Sequence, residues 1–231
     1  NFPVIIDNMM NLDLLFTVSK LTNDDKYKNI AITHANTTMN NHFRPDYTSW
    51  HVVSYNNDGT VERKQTWQGK NDDSAWSRGQ GWGVYGYTAC FRETKDSTYL
   101  EFARNIADMI MSRVKTDDAI PYWDYMAPVT PETPRDASAA AVTASALLEL
   151  STFVADGQKY FDYAEKILKS LSSDAYLAKP GTNGGFILMH STGSLPNGSE
   201  IDVPLNYADY YYLEALKRYM DLKHISYKDL K

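Results

Sequence analysis

The sequence predicts an all-α fold in which helical hairpins stand side by side in a ring. Apolar residues recur at helical spacing in seven segments, and the joints inside three successive pairs of these segments resemble one another. The long polar loops fall between the pairs rather than within them. Three hairpins and one unpaired helix do not complete a ring, so we expect the chain to form part of one.

Apolar periodicity and capping residues set the expected helix boundaries. The first helix should begin at Asp7, a plausible N-cap, because Met10, Leu14 and Val18 follow at helical spacing. The apolar residues before Asp7 include Pro3 and should lead into this helix. Asp73 or Ser74 can cap the third helix. The predicted helices cover residues 7–20, 24–41, 74–94, 97–114, 134–154, 159–171 and 203–220.

The three joints share an aspartate three or four residues before a tyrosine. Tyr27, Tyr99 and Tyr160 each begin the second helix of a hairpin, and they lie 72 and 61 residues apart. This spacing suits a helical hairpin followed by a long loop. The loops at 42–73, 115–133 and 174–202 should therefore emerge on one rim, where binding sites collect, and 54–59 is typical of a β-hairpin turn.

Composition narrows the class of protein. The 231 residues carry 23 Lys and Arg against 29 Asp and Glu, a net charge of −6, which argues against nucleic acid or an anionic membrane as partner. No apolar run approaches the ~18 residues of a spanning helix. Cys90 is the single cysteine, which excludes an internal disulfide and a Cys-rich zinc site. Aromatic residues make up 13% of the chain and are mostly Tyr, which favours a sugar cleft.

Asp7 and His51 are candidate catalytic and binding residues. A carboxylate among apolar residues at a helix start can be desolvated, which favours the protonated form that a general acid needs. The alternative is a simple N-cap, and one role does not exclude the other. His51 lies in an alternating segment and could bond a substrate hydroxyl or carboxylate, or serve as a structural hydrogen-bonding group.

The segment 66–83 is the most informative one. Arg78 and Trp82 are four residues apart and share a helix face, and three glycines between 79 and 83 allow close approach of a helix or a ligand. Together they suit a carboxylated sugar, with a planar fork for the acid and an indole for the ring. The equally weighted alternative is a buried Arg78 satisfied by a helix-end carbonyl or by Asp72 or Asp73.

Two further segments are mainly architectural in this interpretation. Residues 134–141 start a small-residue helix, and Arg135 and Asp136 could form an ion pair at the mouth of the ring. Tyr207 opens an aromatic run that suits either a helix start or a sugar contact. Phosphate-binding loops, serine nucleophile elbows, HExxH and Cys/His clusters are absent from the sequence.

Six blocks in order along the chain resemble the unsaturated glucuronyl hydrolases of glycoside hydrolase family 88. Together they span nearly the whole sequence. They are Asp7 to Leu12; His34 to Thr38 with Arg44 to Asp46; Trp50 to Val53; Gln68-Gly69 with Asp72 to Trp82; Pro134 to Ala140; and Tyr207 to Tyr211.

The resemblance implies an (α/α)6 barrel of six hairpins, of which residues 1–231 would be a single domain forming the C-terminal portion. The sequence starts with neither an initiator Met nor a signal peptide, so we expect about five helices upstream and the missing N-terminal part of the same barrel as a partner. The implied substrate is a lyase-generated oligosaccharide with an unsaturated uronic acid at its non-reducing end. Such chemistry needs no metal or organic cofactor.

The implied reaction is hydration of the C4=C5 vinyl ether with Asp7 as general acid/base. His51, Gln68, Arg78 and Trp82 match family positions around the unsaturated sugar, and Tyr207 is a further candidate. A second family Asp lies upstream of Asp7 and has no counterpart here. Some members receive a substrate sulfate on a late Ser-x-x-Ser-x-Lys loop, whereas the nearest stretch, 194–199, lacks the Lys.

Two other functions fit the same residues. An unsaturated rhamnogalacturonyl hydrolase would use the same fold and hydration chemistry on a different aglycone. A non-catalytic helical module that binds sugars or proteins would need the aromatic rim and no general acid.

Overall fold

The computed structural model describes residues 1–229, so the last two residues of the predicted domain lie outside it. The seven predicted α-helices are present in this range and account for most of its regular structure, which confirms a mostly helical fold. None of these helices combines the length and apolarity needed to cross a bilayer. The helices are α1 (Leu12–Thr22), α2 (Asp25–His42), α3 (Ser77–Thr94), α4 (Ser97–Arg113), α5 (Ala137–Ser151), α6 (Gln158–Leu171) and α7 (Asn206–Leu222).

The helices form an arc with an inner and an outer layer. Inner helices α1, α3, α5 and α7 pack on one another in chain order, and each outer helix packs mainly on the inner helix before it. Small residues let the inner helices approach closely: a Cβ added to Gly81 on α3 would lie 2.5 Å from Val142 Cγ1 on α5. α3 and α5 are therefore buried almost throughout, and the core lies between the layers.

Two of the three joints follow one pattern and the third departs from it. Asn23 and Lys95 end α1 and α3 with left-handed φ values of 52° and 60°. Asp24 and Asp96 then cap the next helix by accepting a hydrogen bond from the backbone two residues on, each at 2.9 Å. At the third joint Gly157 takes the N-cap position without a side-chain bond, so the preceding aspartate is not a cap.

A three-stranded antiparallel sheet stands beside the helices. β2 (Val52–Tyr55) and β3 (Val61–Gln65) form the expected hairpin. The first residues were expected to lead into a helix, and they do so as a strand that the sequence did not predict: β1 (Phe2–Ile5) pairs with β2, with Ile5 opposite Val52. β1 is an edge strand, which tolerates the missing N–H of Pro3.

Three inner helices begin three residues later than their pattern predicts. The residues before α3, α5 and α7 form bridges between rim loops, pairing Trp76 with Asp124, Tyr122 with Arg135, and Ser191 with Val203. The predicted cap of α3 at Asp73 or Ser74 is accordingly wrong, because Trp76 is its N-cap and makes no side-chain bond. Tertiary pairing of the loops takes these residues out of the helices.

Candidate active site

Asp7 is brought to the rim by the pairing of β1 with β2. A short 3-10 helix (Ile6–Asn11) follows β1, and the Ile6 backbone N–H donates to the carbonyl of His51 at 2.9 Å. This places Asp7 Oδ2 3.5 Å from His51 Nε2. The Asp7 side chain is 28% exposed and that of His51 only 3%. A carboxylate that water and substrate can reach thus faces a buried imidazole.

The predicted capping role of Asp7 is wrong. The 3-10 helix has Ile5 as its N-cap, α1 has Asn11, and neither helix start receives a side-chain bond. Asp7 Oδ2 is buried and accepts no hydrogen bond from residues 1–229. A buried carboxylate oxygen without a donor is costly, and such a group suits proton transfer better than support of a helix end.

His51 is held in one orientation by backbone groups. Its Nδ1 accepts hydrogen bonds from the N–H groups of Trp67 at 3.2 Å and Gln68 at 3.1 Å. The proton of the neutral ring therefore sits on Nε2, the nitrogen that faces Asp7. The ring also packs on Trp76, with centroids 4.5 Å apart. The imidazole therefore holds its Nε2 in contact with Asp7 Oδ2 at 3.5 Å, too long for a good hydrogen bond.

Arg78 is buried and forms its bonds inside the protein. Its guanidinium pairs with Asp136 at 2.6 Å and donates to the carbonyls of Thr192 at 2.7 Å and Gly193 at 2.8 Å. Neither Asp72 nor Asp73 is its partner. The Gly193 carbonyl also accepts from Gln68 Nε2 at 2.8 Å, so two rim loops and α3 meet at one oxygen atom.

The predicted ion pair between Arg135 and Asp136 is wrong. Arg135 pairs instead with Asp118 at 3.1 Å, while Asp136 pairs with Arg78 and caps α5 by accepting from the backbone of Ser138 at 3.1 Å. Sequence reasoning missed this central role of Asp136. The available signal was an aspartate immediately before a run of small helix-forming residues.

Aromatic residues form the wall next to Arg78. The Trp82 ring lies 6.1 Å from that of Tyr207, and the Arg78 guanidinium lies 5.3 Å from the Tyr207 ring. Burial raises the pKa of Tyr207 to about 12, opposed by the charge of Arg78, so its hydroxyl stays a neutral donor. The indole N–H of Trp82 is buried without a partner within residues 1–229.

The predicted site residues therefore converge on one rim. Asp7 faces His51, the backbone of Gln68 bonds His51, and the Gln68 amide and Arg78 share the Gly193 carbonyl beside Tyr207 and Trp82. Among residues 1–229 no His, Cys, Asp and Glu side chains cluster in a way that could hold a metal ion. The arrangement can bind a ring compound and exchange a proton with it.

Comparison with known proteins gives a family and several relatives. The family model Glycosyl Hydrolase Family 88 matches residues 4–222. An unsaturated glucuronyl hydrolase of Formosa agariphila is 49% identical over 224 residues, covering 96% of this chain and 56% of the relative. An unsaturated chondroitin disaccharide hydrolase of Streptococcus pneumoniae is 33% identical over 95% of this chain and 56% of its own length.

Solved structures agree with the sequence relatives. An unsaturated glucuronyl hydrolase specific for heparin superposes with a TM-score of 0.95 at 58% identity, over 97% of this chain and 61% of that protein. The unsaturated glucuronyl hydrolase of Bacillus sp. GL1 superposes with a TM-score of 0.89 at 32% identity, over 94% of this chain and 58% of that protein. The chain thus spans little more than half the length of the relatives it matches. On these matches the chain belongs to glycosyl hydrolase family 88.

Proposed function

We propose that the protein removes an unsaturated uronic acid from the non-reducing end of lyase-generated oligosaccharides such as glycosaminoglycan fragments. The observation that carries the proposal is the placement of Asp7. Its side chain caps no helix, and its buried Oδ2 faces His51 beside an aromatic wall. Relatives named for unsaturated glucuronyl and chondroitin disaccharide substrates support this class of substrate.

The reaction that suits these groups is hydration of the C4=C5 vinyl ether. Asp7 delivers a proton to C4, water adds at C5, and the proton lost by that water returns to the carboxylate. The hemiketal at C5 then opens and releases the aglycone as an alcohol. No glycosidic bond is displaced directly, which separates this route from hydrolysis by two opposed carboxylates.

We assign the other site residues supporting roles. His51 orients Asp7 through Nε2, and Gln68 together with Arg78 holds the Gly193 loop in place at the rim. Trp82 and Tyr207 offer an aromatic face and a hydroxyl donor to the sugar.

We further propose that this chain is the C-terminal portion of a six-hairpin (α/α)6 barrel, completed by an N-terminal part. A repeated hydrogen bond supports it. The Tyr99 hydroxyl donates to Asn36 at 2.8 Å, nine residues after Tyr27, and the Tyr160 hydroxyl donates to Asp108 at 2.9 Å, nine residues after Tyr99. By the same rule Tyr27 should donate to an outer helix that precedes α2, and no acceptor for it lies within residues 1–229.

Apolar contacts on the outer face of α2 give the same indication of a missing neighbour. Phe102 lies three residues after Tyr99 and packs on Phe43, with ring centroids 4.8 Å apart. Phe43 directly follows α2, the preceding outer helix. Ile30, three residues after Tyr27, is 47% exposed instead. It lines a groove of about 720 Å³ between β1 and α2 that contains no carboxylate. This face suits the loop of one more hairpin.

Asp7→Asn in the full-length enzyme tests the proposed function. Asn keeps the shape of the side chain and removes its exchangeable proton, so we expect turnover of an unsaturated disaccharide to fall by at least ~100-fold. Loss of the near-ultraviolet absorbance of the unsaturated uronate measures it. Asp73→Asn, on the same rim, is the matched control. Wild-type turnover by Asp7→Asn would remove Asp7 from the mechanism, and an inactive wild-type enzyme would favour a binding module.

A further inference from the structure

Trp67 differs from the other tryptophans in its exposure. Its side chain is 65% exposed, whereas Trp76, Trp82 and Trp123 are at most 6% exposed. The remaining one, Trp50, lies beneath Arg44 at 4.2 Å. Within residues 1–229 the Trp67 indole has no ring, cation or hydrogen-bond contact. Burying a large aromatic side chain is worth about 1.5–3 kcal/mol, a stabilisation that the exposed Trp67 indole does not contribute to the fold.

The backbone that carries this indole is held by the site itself. The Trp67 N–H donates to His51 Nδ1 at 3.2 Å, and its carbonyl accepts from Asn197 Nδ2 at 3.1 Å. The next residue, Gln68, bonds the Gly193 carbonyl at 2.8 Å. The backbone at Trp67 is therefore fixed by two rim loops, and the indole stands exposed on the rim next to His51.

The surroundings of Trp67 fit a sugar better than a protein surface. Its neighbours along the chain are Thr66, Gln68 and then Lys70 and Asn71, all polar. A single indole among hydrogen-bonding groups matches a pyranose, which has one apolar C–H face and polar edges. A protein-docking patch would need several contiguous apolar side chains.

We propose that Trp67 is the platform for the sugar ring that follows the cleaved bond, with its indole against the C–H face of that ring. The unsaturated uronate occupies the pocket between Asp7 and the Trp82–Tyr207 wall, and the aglycone extends across the rim over Trp67. This assignment rests on the proposed function and adds a residue that selects for a cyclic aglycone.

Two substrates separate this role from the chemistry. An unsaturated disaccharide has a second ring, and the methyl glycoside of the same unsaturated uronate has none. In the full-length enzyme, Trp67→Ala should lower kcat/KM for the disaccharide by about 10- to 30-fold, mainly through KM, because the lost ring contact is made equally in ground and transition states. The methyl glycoside should be turned over within twofold of wild type. Trp67→Phe should recover most of the loss, and Val129→Ala, an exposed rim residue, is the control.

Each other outcome is decisive. Equal losses on both substrates would mean that Trp67 acts through His51 or through the fold, and unchanged kinetics on both would also overturn the platform. If the wild-type enzyme turned over neither substrate, the proposed function would fall, and calorimetric binding of the disaccharide to wild type and Trp67→Ala would still decide. We expect Trp67→Ala to bind the disaccharide about 10-fold more weakly than wild type. Equal affinity of the two proteins would contradict the assignment.

Discussion

Burial sets the value of individual ion pairs in this protein. Arg78 and Asp136 lie 2.6 Å apart with side chains 2% and 0% exposed, whereas Arg113 and Asp46 lie 2.9 Å apart with both 48% exposed. The two ion pairs therefore have similar distances, but one is buried and the other is exposed to water. An exposed pair is screened by water, but removing one member of a buried pair leaves an uncompensated charge in the interior.

We therefore expect Asp136→Asn to lower the free energy of unfolding by about 3–5 kcal/mol. Asn can still cap α5, so the loss reports the stranded charge of Arg78 rather than the cap. Urea unfolding of the full-length protein measures this loss. Arg113→Ala is the comparison, and it should change the free energy of unfolding by less than about 1 kcal/mol. Equal effects of the two substitutions would contradict this account.

Close approach of α3 and α5 decides which residues these helices accept. Gly81 is buried in the second turn of α3, where glycine costs about 1 kcal/mol relative to alanine in helix propensity. A Cβ there would lie 2.5 Å from Val142 Cγ1 and 3.3 Å from Thr143 Oγ1. The packing of α5, rather than the preference of α3, fixes glycine at this position.

Gly81→Ala should consequently destabilise the protein by about 1–3 kcal/mol despite the better helix former. Val142→Ala removes the clashing methyl group, so the double variant should lose less than the sum of the single losses. A double-mutant cycle by thermal or urea unfolding tests this. Strict additivity would show that the two helices do not meet at this point.

One buried histidine links the stability of the whole molecule to pH. His42 ends α2 and is fully buried, with Nδ1 3.4 Å from the Trp50 carbonyl. Burial lowers the pKa of His42 to about 4, opposed by that carbonyl. The unfolded chain, with the ordinary pKa near 6.5, binds more protons between these values, so stability rises with pH across the window.

We expect acidification from pH 6.5 to about 4 to cost up to about 3 kcal/mol of unfolding free energy through His42. His42→Gln should flatten the dependence in this window, while His224→Gln, at an exposed position, should leave it as in wild type. Chemical unfolding at half-unit pH steps gives the slopes. The same slope for wild type and His42→Gln would contradict the assignment.

Local sequence patterns predict most of the helices and turns of this fold. Seven helices, two capped joints and a β-hairpin follow from periodicity and from residues whose preferences act within a few positions. The errors lie where distant segments meet. β1 was not predicted as a strand because its partner β2 is some 50 residues away, and Asp136 was paired with its sequence neighbour rather than with Arg78.

The sequence by itself determined the helices and the rim, because spacing and turn chemistry are local, and its resemblance to a family supplied the candidate site residues. Only the tertiary structure decided what those residues contact. It placed Asp7 beside His51 with no helix start to cap, buried Arg78 with a hydrogen bond to the Gly193 carbonyl, and left Trp67 exposed on the rim. Burial and hydrogen-bond partners depend on which loops meet in space, and no local pattern encodes that.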